Sequence, residues 1–303
     1  MRFERLGIIS LSFSHRPVLL RVVTFNANGL RSAARKGFFP WFTRQRADML
    51  CVQELRANDE QLVGAAFRAR GFHRISASAE RPGYSGVAIY SRAEPTAVVR
   101  GIGVDEFDRE GRYLEARFPR VAVVSAYFPS GSSSPARQEA KFRFLAAFDR
   151  RVAALAEVGL PFVFCGDFNM AHKNIDVKNW RANQDYPGFT PPERAWLDSL
   201  FTARGFVDAF RAVNQEPHQY TWWSNRGQAW ANNTGWRIDY QVVSPSNSGP
   251  RPVRASIYKA RRFSDHAPLI VDYEWPGVDA PRATGEAASD GSEVPEQVAT
   301  WRK

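Results

Sequence analysis

Thiols are nearly absent from this sequence: Cys51 and Cys165 are the two cysteines among 303 residues, each inside an apolar run. That excludes a disulfide framework and fits a reducing, cytoplasmic compartment. Histidine is scarce as well, with five scattered residues that offer no cluster for zinc or iron. No apolar run approaches membrane-spanning length, so no membrane partner is expected. Residues 1–17 carry Arg2, Arg5 and Arg16 around a short apolar stretch broken by serines. Without a small-residue cleavage site this reads as an irregular extension, not a signal peptide. Acids are the under-represented sign, 31 against 41 Lys and Arg, for a net charge of +10. A surplus of that size favours a polyanionic partner, most simply nucleic acid.

What is present is a large apolar share, 44%, enough for a sizeable core. Residues 17–25, 48–54, 121–128 and 160–167 read as buried strands, each closing on polar residues. Shorter strands are expected at 73–77, 86–91, 112–118, 237–243, 253–258 and 267–275. Helices are expected over 32–46, irregular at Gly37 and Pro40, and from Asn58 or Asp59 to about 70. A longer one should span 135–157, with Phe142, Leu145, Phe148, Val152 and Leu155 along its buried side. Another begins at Pro191 and Pro192. The stretch 171–192 is long, polar and aromatic, which is uncommon for a loop without a task. This order of elements suggests two mixed β-sheets packed face to face with helices outside, an α/β sandwich in two similar halves. The domain reading is an extension at 1–17, one catalytic domain at 18–275, and a disordered Ala/Gly/Ser/Pro-rich acidic tail at 276–303.

The polar residues at the strand ends form one set: Asn26, Asn28, Glu54, Tyr127, Asp167, Asn169, Asp239, Asp265 and His266. Its oxygen donors suit a hard divalent ion, Mg²⁺ or Mn²⁺. With a basic surface, the economical reading is metal-assisted hydrolysis of a phosphodiester. Glu54 is the metal carboxylate, with Asn26 or Asn28 nearby. Asp167, held by Asn169, orients and deprotonates the attacking water. His266 donates to a phosphate oxygen, with Asp239 fixing its tautomer and raising its pKa. Tyr127 donates to the phosphate or to the leaving group, and Asp265 binds metal or buttresses the site. Each of these residues has a duller reading as a turn cap or a core group. Those readings weaken jointly, because so many polar side chains beside buried strands need a purpose. Bases interleaved with aromatics point to the substrate: Lys173, Lys178, Asn179, Trp180 and Arg181, then Trp222, Arg226 and Trp236.

Eight runs carry a family resemblance. They include Thr24-Phe25-Asn26-Ala27-Asn28-Gly29-Leu30-Arg31, Leu50-Cys51-Val52-Gln53-Glu54, Gly166-Asp167-Phe168-Asn169, Gly235-Trp236-Arg237-Ile238-Asp239-Tyr240 and Ser264-Asp265-His266. Over about residues 20–275 the chain resembles the exonuclease III and apurinic/apyrimidinic endonuclease branch of the endonuclease/exonuclease/phosphatase superfamily. The resemblance implies a four-layered α/β sandwich acting on double-stranded DNA at abasic sites or 3′ ends; a monomer is expected because the substrate face must stay exposed. It implies Mg²⁺-dependent cleavage, 3′ diesterase and 3′→5′ exonuclease activities. It places Glu54 on the metal with Asn28 and Asp265 close by, gives the water to Asp167 and Asn169, and gives the phosphate to His266 and Asp239. It sets Trp222, Trp236 and Ile238 around the abasic sugar. The glycine at 37 and the extension before residue 17 depart from its pattern. A second resemblance, through Asp176-Val177-Lys178-Asn179-Trp180-Arg181 and Glu193-Arg194-Ala195-Trp196, is to bacterial catabolite repression control proteins. These keep the fold, lack the nuclease chemistry and act in RNA-linked regulation. The alternative is therefore a catalytically silent, nucleic-acid-associated regulator. The retained acids Glu54, Asp167 and Asp265 favour the nuclease.

Overall fold

The computed structural model describes residues 18–245 and 249–275, so the extension and the tail expected at the two ends lie outside the described residues. In chain order the elements are β1 (Val18–Asn26), α1 (Leu30–Arg35), α2 (Phe38–Arg44), β2 (Met49–Gln53), β3 (His73–Ala77), β4 (Val87–Ser91), β5 (Ala97–Arg100) and α3 (Asp105–Asp108). Then come β6 (Tyr113–Phe118), β7 (Val121–Tyr127), α4 (Pro135–Ala156), β8 (Phe162–Asp167), α5 (Pro191–Asp198), β9 (Val207–Asp208) and α6 (Ala209–Val213). The last are β10 (Trp222–Trp223), β11 (Gly235–Trp236), β12 (Asp239–Val243), β13 (Arg251–Ile257) and β14 (Leu269–Trp275). No helix among the described residues is long and apolar enough to cross a membrane.

Two six-stranded mixed sheets, ordered β13-β14-β1-β2-β4-β3 and β5-β6-β7-β8-β12-β9, stack face to face. Each holds one parallel pair at its centre, β1 with β2 and β7 with β8, and every other pairing is antiparallel. A parallel pair needs a crossover. Helices α1 and α2 supply it for the first sheet and α4 for the second, each on the outer face. Four layers result, with three apolar seams. Val22, Cys51, Val123, Val163 and Val271 fill the seam between the sheets. Phe25, Phe38 and Phe42 pack the first helices down, and Phe144, Phe148 and Phe164 pack α4. Cys51 and Cys165 are buried and unbridged, as expected.

Polar ties fix how the sheets sit on one another. Gln53 Nε2 donates to Ser125 Oγ at 2.9 Å, and Tyr273 Oη donates to Gln241 Oε1 at 2.9 Å. Within the second sheet, β7 and β8 approach so closely that a Cβ on Gly166 would lie 2.1 Å from the Ala126 carbonyl oxygen. Only glycine fits there.

Three local expectations are corrected. Residues 58–70 hold no continuous helix. Two short 3₁₀ turns, Glu60–Leu62 and Ala65–Phe67, are separated by Gly64 in extended backbone. On α4, Phe142 points outward at 37% exposure, whereas Lys141 and Phe144 are buried. The inward lysine is tolerated because Glu193 meets it at 2.6 Å with both side chains inaccessible. The long stretch 171–192 is also not bare loop. It carries 3₁₀ turns at Asn174–Asp176 and Trp180–Asn183, the first anchored by Arg237 Nε donating to Asp176 Oδ1 at 2.8 Å.

Candidate active site

The C-terminal ends of β1, β2, β7 and β8 open at one mouth of the sandwich. Their antiparallel neighbours β12 and β14 begin at the same mouth. Six strands thus deliver Asn26, Glu54, Tyr127, Asp167, Asp239 and His266 to one place. Three of the residues just past the strand tips, Asn28, Glu54 and Asn169, hold positive φ of 43°, 53° and 52°. Left-handed backbone is disfavoured for side-chain-bearing residues and concentrates where function demands it.

Asn26 is the hinge of the cluster. Its Nδ2 donates to Glu54 Oε1 at 3.0 Å and to Asp167 Oδ2 at 2.8 Å, which joins the two sheets. Its Oδ1 accepts the Asn28 N–H at 2.9 Å, and Asn28 Nδ2 donates to Asp265 Oδ1 at 2.7 Å. Asp265 Oδ2 accepts from Trp222 Nε1 at 3.2 Å. Asn169 gives Asp167 two donors, its backbone N–H at 2.8 Å and Nδ2 at 3.2 Å. His266 Nδ1 lies 2.8 Å from Asp239 Oδ2, and Nε2 lies 3.8 Å from Asp167 Oδ2. Thr221 Oγ1 accepts the N–H groups of Ile238 and Asp239, both at 3.1 Å, and so pins the start of β12.

The ligand-type atoms of Asp167, Asp239 and His266 lie within 4.8 Å of one another, all buried. Burial pushes the Asp167 carboxyl up to about 7, opposed by the nearby imidazole. Burial works against the His266 imidazolium, but the Asp239 carboxylate outweighs it and carries the group to about 10. The second oxygen of Asp239, Oδ1, is buried without a hydrogen-bond partner among the described residues, where that charge is compensated chiefly by His266. For Asp265 burial also opposes the charged form, yet His266 and Asn28 hold the carboxyl below its usual range. Burial, then the Glu54 charge, push the Tyr127 hydroxyl well above its ordinary value and keep it protonated.

The donor chemistry fits a hard cation. Four carboxylates gather here, and among the partners bonded to them within the described residues only Arg56 and His266 are cations. Arg56 Nε donates to Glu54 Oε2 at 2.8 Å. Asp265 has neutral donors alone: Asn28, Ser264 and Trp222. Excess negative charge on oxygen donors is what a divalent ion needs.

Every catalytic and metal residue expected from the sequence falls in this one network. Among the expected nucleic-acid contacts, Trp222, Trp236 and Ile238 converge beside it on Phe189, and Trp180 packs against the same cluster. Trp222 and Trp236 meet edge to face with centroids 6.5 Å apart. Lys178, Asn179, Arg181 and Arg226 are exposed. Lys173 is exposed as well. Its ammonium pairs with Asp198 beside His172, over a separate cavity of about 340 Å³ that Phe201, Asp208 and Arg211 also line. The sequence reading missed Arg56, two residues past Glu54, because both positions turn through left-handed backbone that no strand pattern reveals. It also missed Arg112, fully enclosed, with its guanidinium 4.6 Å over the Tyr127 ring. Lys36, Asn225 and Arg262 went unnoticed too. They line a cavity of about 380 Å³ with Asn28 and Asp265.

Two stacked mixed sheets that pool acids, carboxamides and an Asp-held histidine at one mouth define a metal-dependent phosphodiesterase. Comparison with known proteins makes this specific: residues 23–266 match the Endonuclease/Exonuclease/phosphatase family, and the chain belongs to it. It is 36% identical over 252 residues to the exodeoxyribonuclease of Bacillus subtilis (strain 168), covering 82% of this chain and 98% of that protein. It is 35% identical to the DNA repair nuclease APEX1 of Danio rerio, covering 84% and 83%. Among solved structures, an AP endonuclease from Archaeoglobus fulgidus superposes with a TM-score of 0.75 at 27% identity, covering 83% of this chain and 98% of that one. The 3′-5′ exonuclease NExo of Neisseria meningitidis matches with a TM-score of 0.75 at 28% identity, covering 84% and 100%.

Proposed function

We propose that this chain is a DNA-repair phosphodiesterase that cuts the backbone at abasic sites and removes 3′ blocking groups or nucleotides, as a monomer on duplex DNA in the cytoplasm. Magnesium is its cation, with manganese as substitute. The observation that carries the reading is the joining of Glu54 on one sheet to Asp167 on the other through the single carboxamide of Asn26. That junction, with left-handed backbone at three strand tips, supports a catalytic site over a silent regulator of the same fold.

The protonation states divide the roles. At neutral pH an imidazole at about 10 is charged, so His266 cannot take a proton from water. It serves instead as a donor from Nε2 to a phosphate oxygen, steadied by Asp239 at Nδ1. A carboxyl at about 7 can accept a proton near neutrality, which makes Asp167 the base for the attacking water. Asn169 fixes the direction of that carboxylate. Tyr127, kept neutral, donates its hydroxyl to the phosphate or the leaving oxygen. Glu54 and Asp265, with Asn26 and Asn28, would hold the cation, whose charge stabilises the phosphoryl oxygens when bound. Trp222, Trp236 and Ile238 offer an apolar wall for a sugar without a base. Lys178, Asn179, Trp180, Arg181 and Arg226 follow the strand.

The test is nicking of an abasic-site duplex with and without Mg²⁺, on the wild type and on Asp167→Asn. Mg²⁺-dependent nicking is expected, with a loss of about 10²–10⁴-fold in the variant at nearly unchanged DNA affinity. Absence of nicking by the wild type sinks the functional reading, and undiminished nicking by the variant sinks the base assignment.

A further inference from the structure

Tyr186 is large, aromatic and 52% exposed, yet it is held rigidly. The Phe189 N–H donates to the Tyr186 carbonyl at 2.9 Å, closing a turn through Pro187 and Gly188. Gly188 has φ of 101°, and a Cβ there would lie 2.9 Å from the Asn169 carbonyl oxygen, so the turn is clamped directly onto the loop of the base. Glu193 Oε2 accepts the Gly188 N–H at 2.7 Å and secures it from beneath. The Tyr186 ring meets Trp236 at 6.0 Å and 68°, and Trp236 meets Trp222, whose indole N–H reaches Asp265. An aromatic row therefore runs from the reaction centre to the open surface and ends in a free face. Exposed Arg181, stacked 4.5 Å over the Trp180 ring, lies five residues earlier on the same segment of chain.

We infer that Tyr186 is a stacking platform for a nucleobase adjoining the residue held against Trp222 and Trp236. This subsite rests on the DNA-directed reading above. Its occupant is a base of the bound strand, because the row is continuous with the reaction centre and the segment that carries it also carries the exposed cations Lys178 and Arg181, which suit a phosphate backbone. A pre-ordered phenol ring binds any base through its face without selecting sequence. Substrates whose neighbouring nucleotide is present and unstacked are bound better than those lacking it.

The experiment is a metal-free titration of duplexes that carry a stable abasic analogue, with 2-aminopurine in turn as its 5′ and 3′ neighbour. Wild type and Tyr186→Phe should quench one of the two probes. Tyr186→Ala should lose that quench and bind about 5- to 100-fold more weakly. Replacing the same neighbour by a second abasic analogue should make wild type and Tyr186→Ala bind alike. The subsite is overturned if Tyr186→Ala quenches as the wild type does, or if it weakens binding equally with and without that base. The titration needs no cleavage. A wild type that binds and quenches but never nicks refutes the proposed reaction alone, and one that nicks without Tyr186-dependent quenching refutes this subsite alone.

Discussion

Replacing Glu193 by glutamine should cost more stability than removing its partner Lys141. Glu193 Oε1 accepts from Lys141 Nζ at 2.6 Å and Gln138 Nε2 at 3.0 Å. Its Oε2 accepts from Gly188 N at 2.7 Å, Thr190 N at 3.0 Å and Thr190 Oγ1 at 2.7 Å. Burial opposes the carboxylate, but Lys141 and these donors hold it below its usual range. A glutamine side chain presents an NH₂ to one of those two groups of donors whichever way it turns, and it leaves the Lys141 charge uncompensated in the interior. Breaking a buried pair on one side costs about 3–5 kcal/mol. In Lys141→Met the carboxylate keeps its other donors, so the cost falls to about 1–3 kcal/mol. The double variant should be less damaged than Glu193→Gln alone, since no orphaned ammonium remains. Urea midpoints at constant slope measure all three, and Glu193→Gln should lower the melting temperature by roughly 6 °C or more. Lys141 Nζ also donates to the Asn169 carbonyl at 3.1 Å, so the loss should reach the site as a raised KM. Glu193→Gln within 1 kcal/mol of wild type, or a double variant as weak as the sum of the singles, would refute this reasoning.

Asp239→Asn should move the alkaline limb of the activity profile toward acid. Without that carboxylate the imidazole loses the main influence that raises it against burial, keeps only the weaker pull of Asp167 and Asp265, and falls from about 10, so the donor loses its proton at lower pH. A pH–rate profile with an unchanged alkaline limb would contradict this. Asp176, held by Arg237 and Arg211 against its burial, sits at about 2 instead of 3.8. A depressed carboxyl contributes stability that is complete above its unfolded pKa and is lost as pH falls through the folded one. About 2 kcal/mol should therefore disappear progressively between about pH 5 and pH 1. Urea midpoints across that range should fall less steeply in Asp176→Asn, and equal slopes would exclude the linkage.

What the sequence disclosed follows from what is local. The apolar runs at Val22–Val23 and Phe162–Cys165 fix buried strands by themselves, and polar residues immediately after such runs must lie at strand tips. The chemistry was legible because it sits there. Lys141 was not legible, because a charged residue on a helix reads as solvated until its partner 52 positions away is known. Phe142 was misplaced for the same reason, since its inward neighbour looked like the outward one. Strand β5 (Ala97–Arg100) is short and half exposed, pairing with β6 alone, and gives a weak alternation signal. The pairing of Lys173 was not legible either, because Asp198 faces it from a different element 25 positions away.

The position of the site follows from the one parallel pair in each sheet. Parallel neighbours end at the same edge, so β1 with β2 and β7 with β8 each place two tips together. The antiparallel strand beside each pair then starts at that edge, which is how Asp239 faces Asp167 across the β12–β8 ladder. Stacking the sheets turns two such edges into one cluster only if their relative register is fixed. The Gln53–Ser125 and Gln241–Tyr273 bonds hold that register in the seam, and Gly166 sets the spacing of the pair that carries Tyr127 and Asp167. A shift of one residue along either sheet would displace Asp167 by about 3.3 Å relative to Asn26 and break the junction between the sheets. The polar groups buried in an otherwise apolar seam are therefore part of the apparatus that aims the acids.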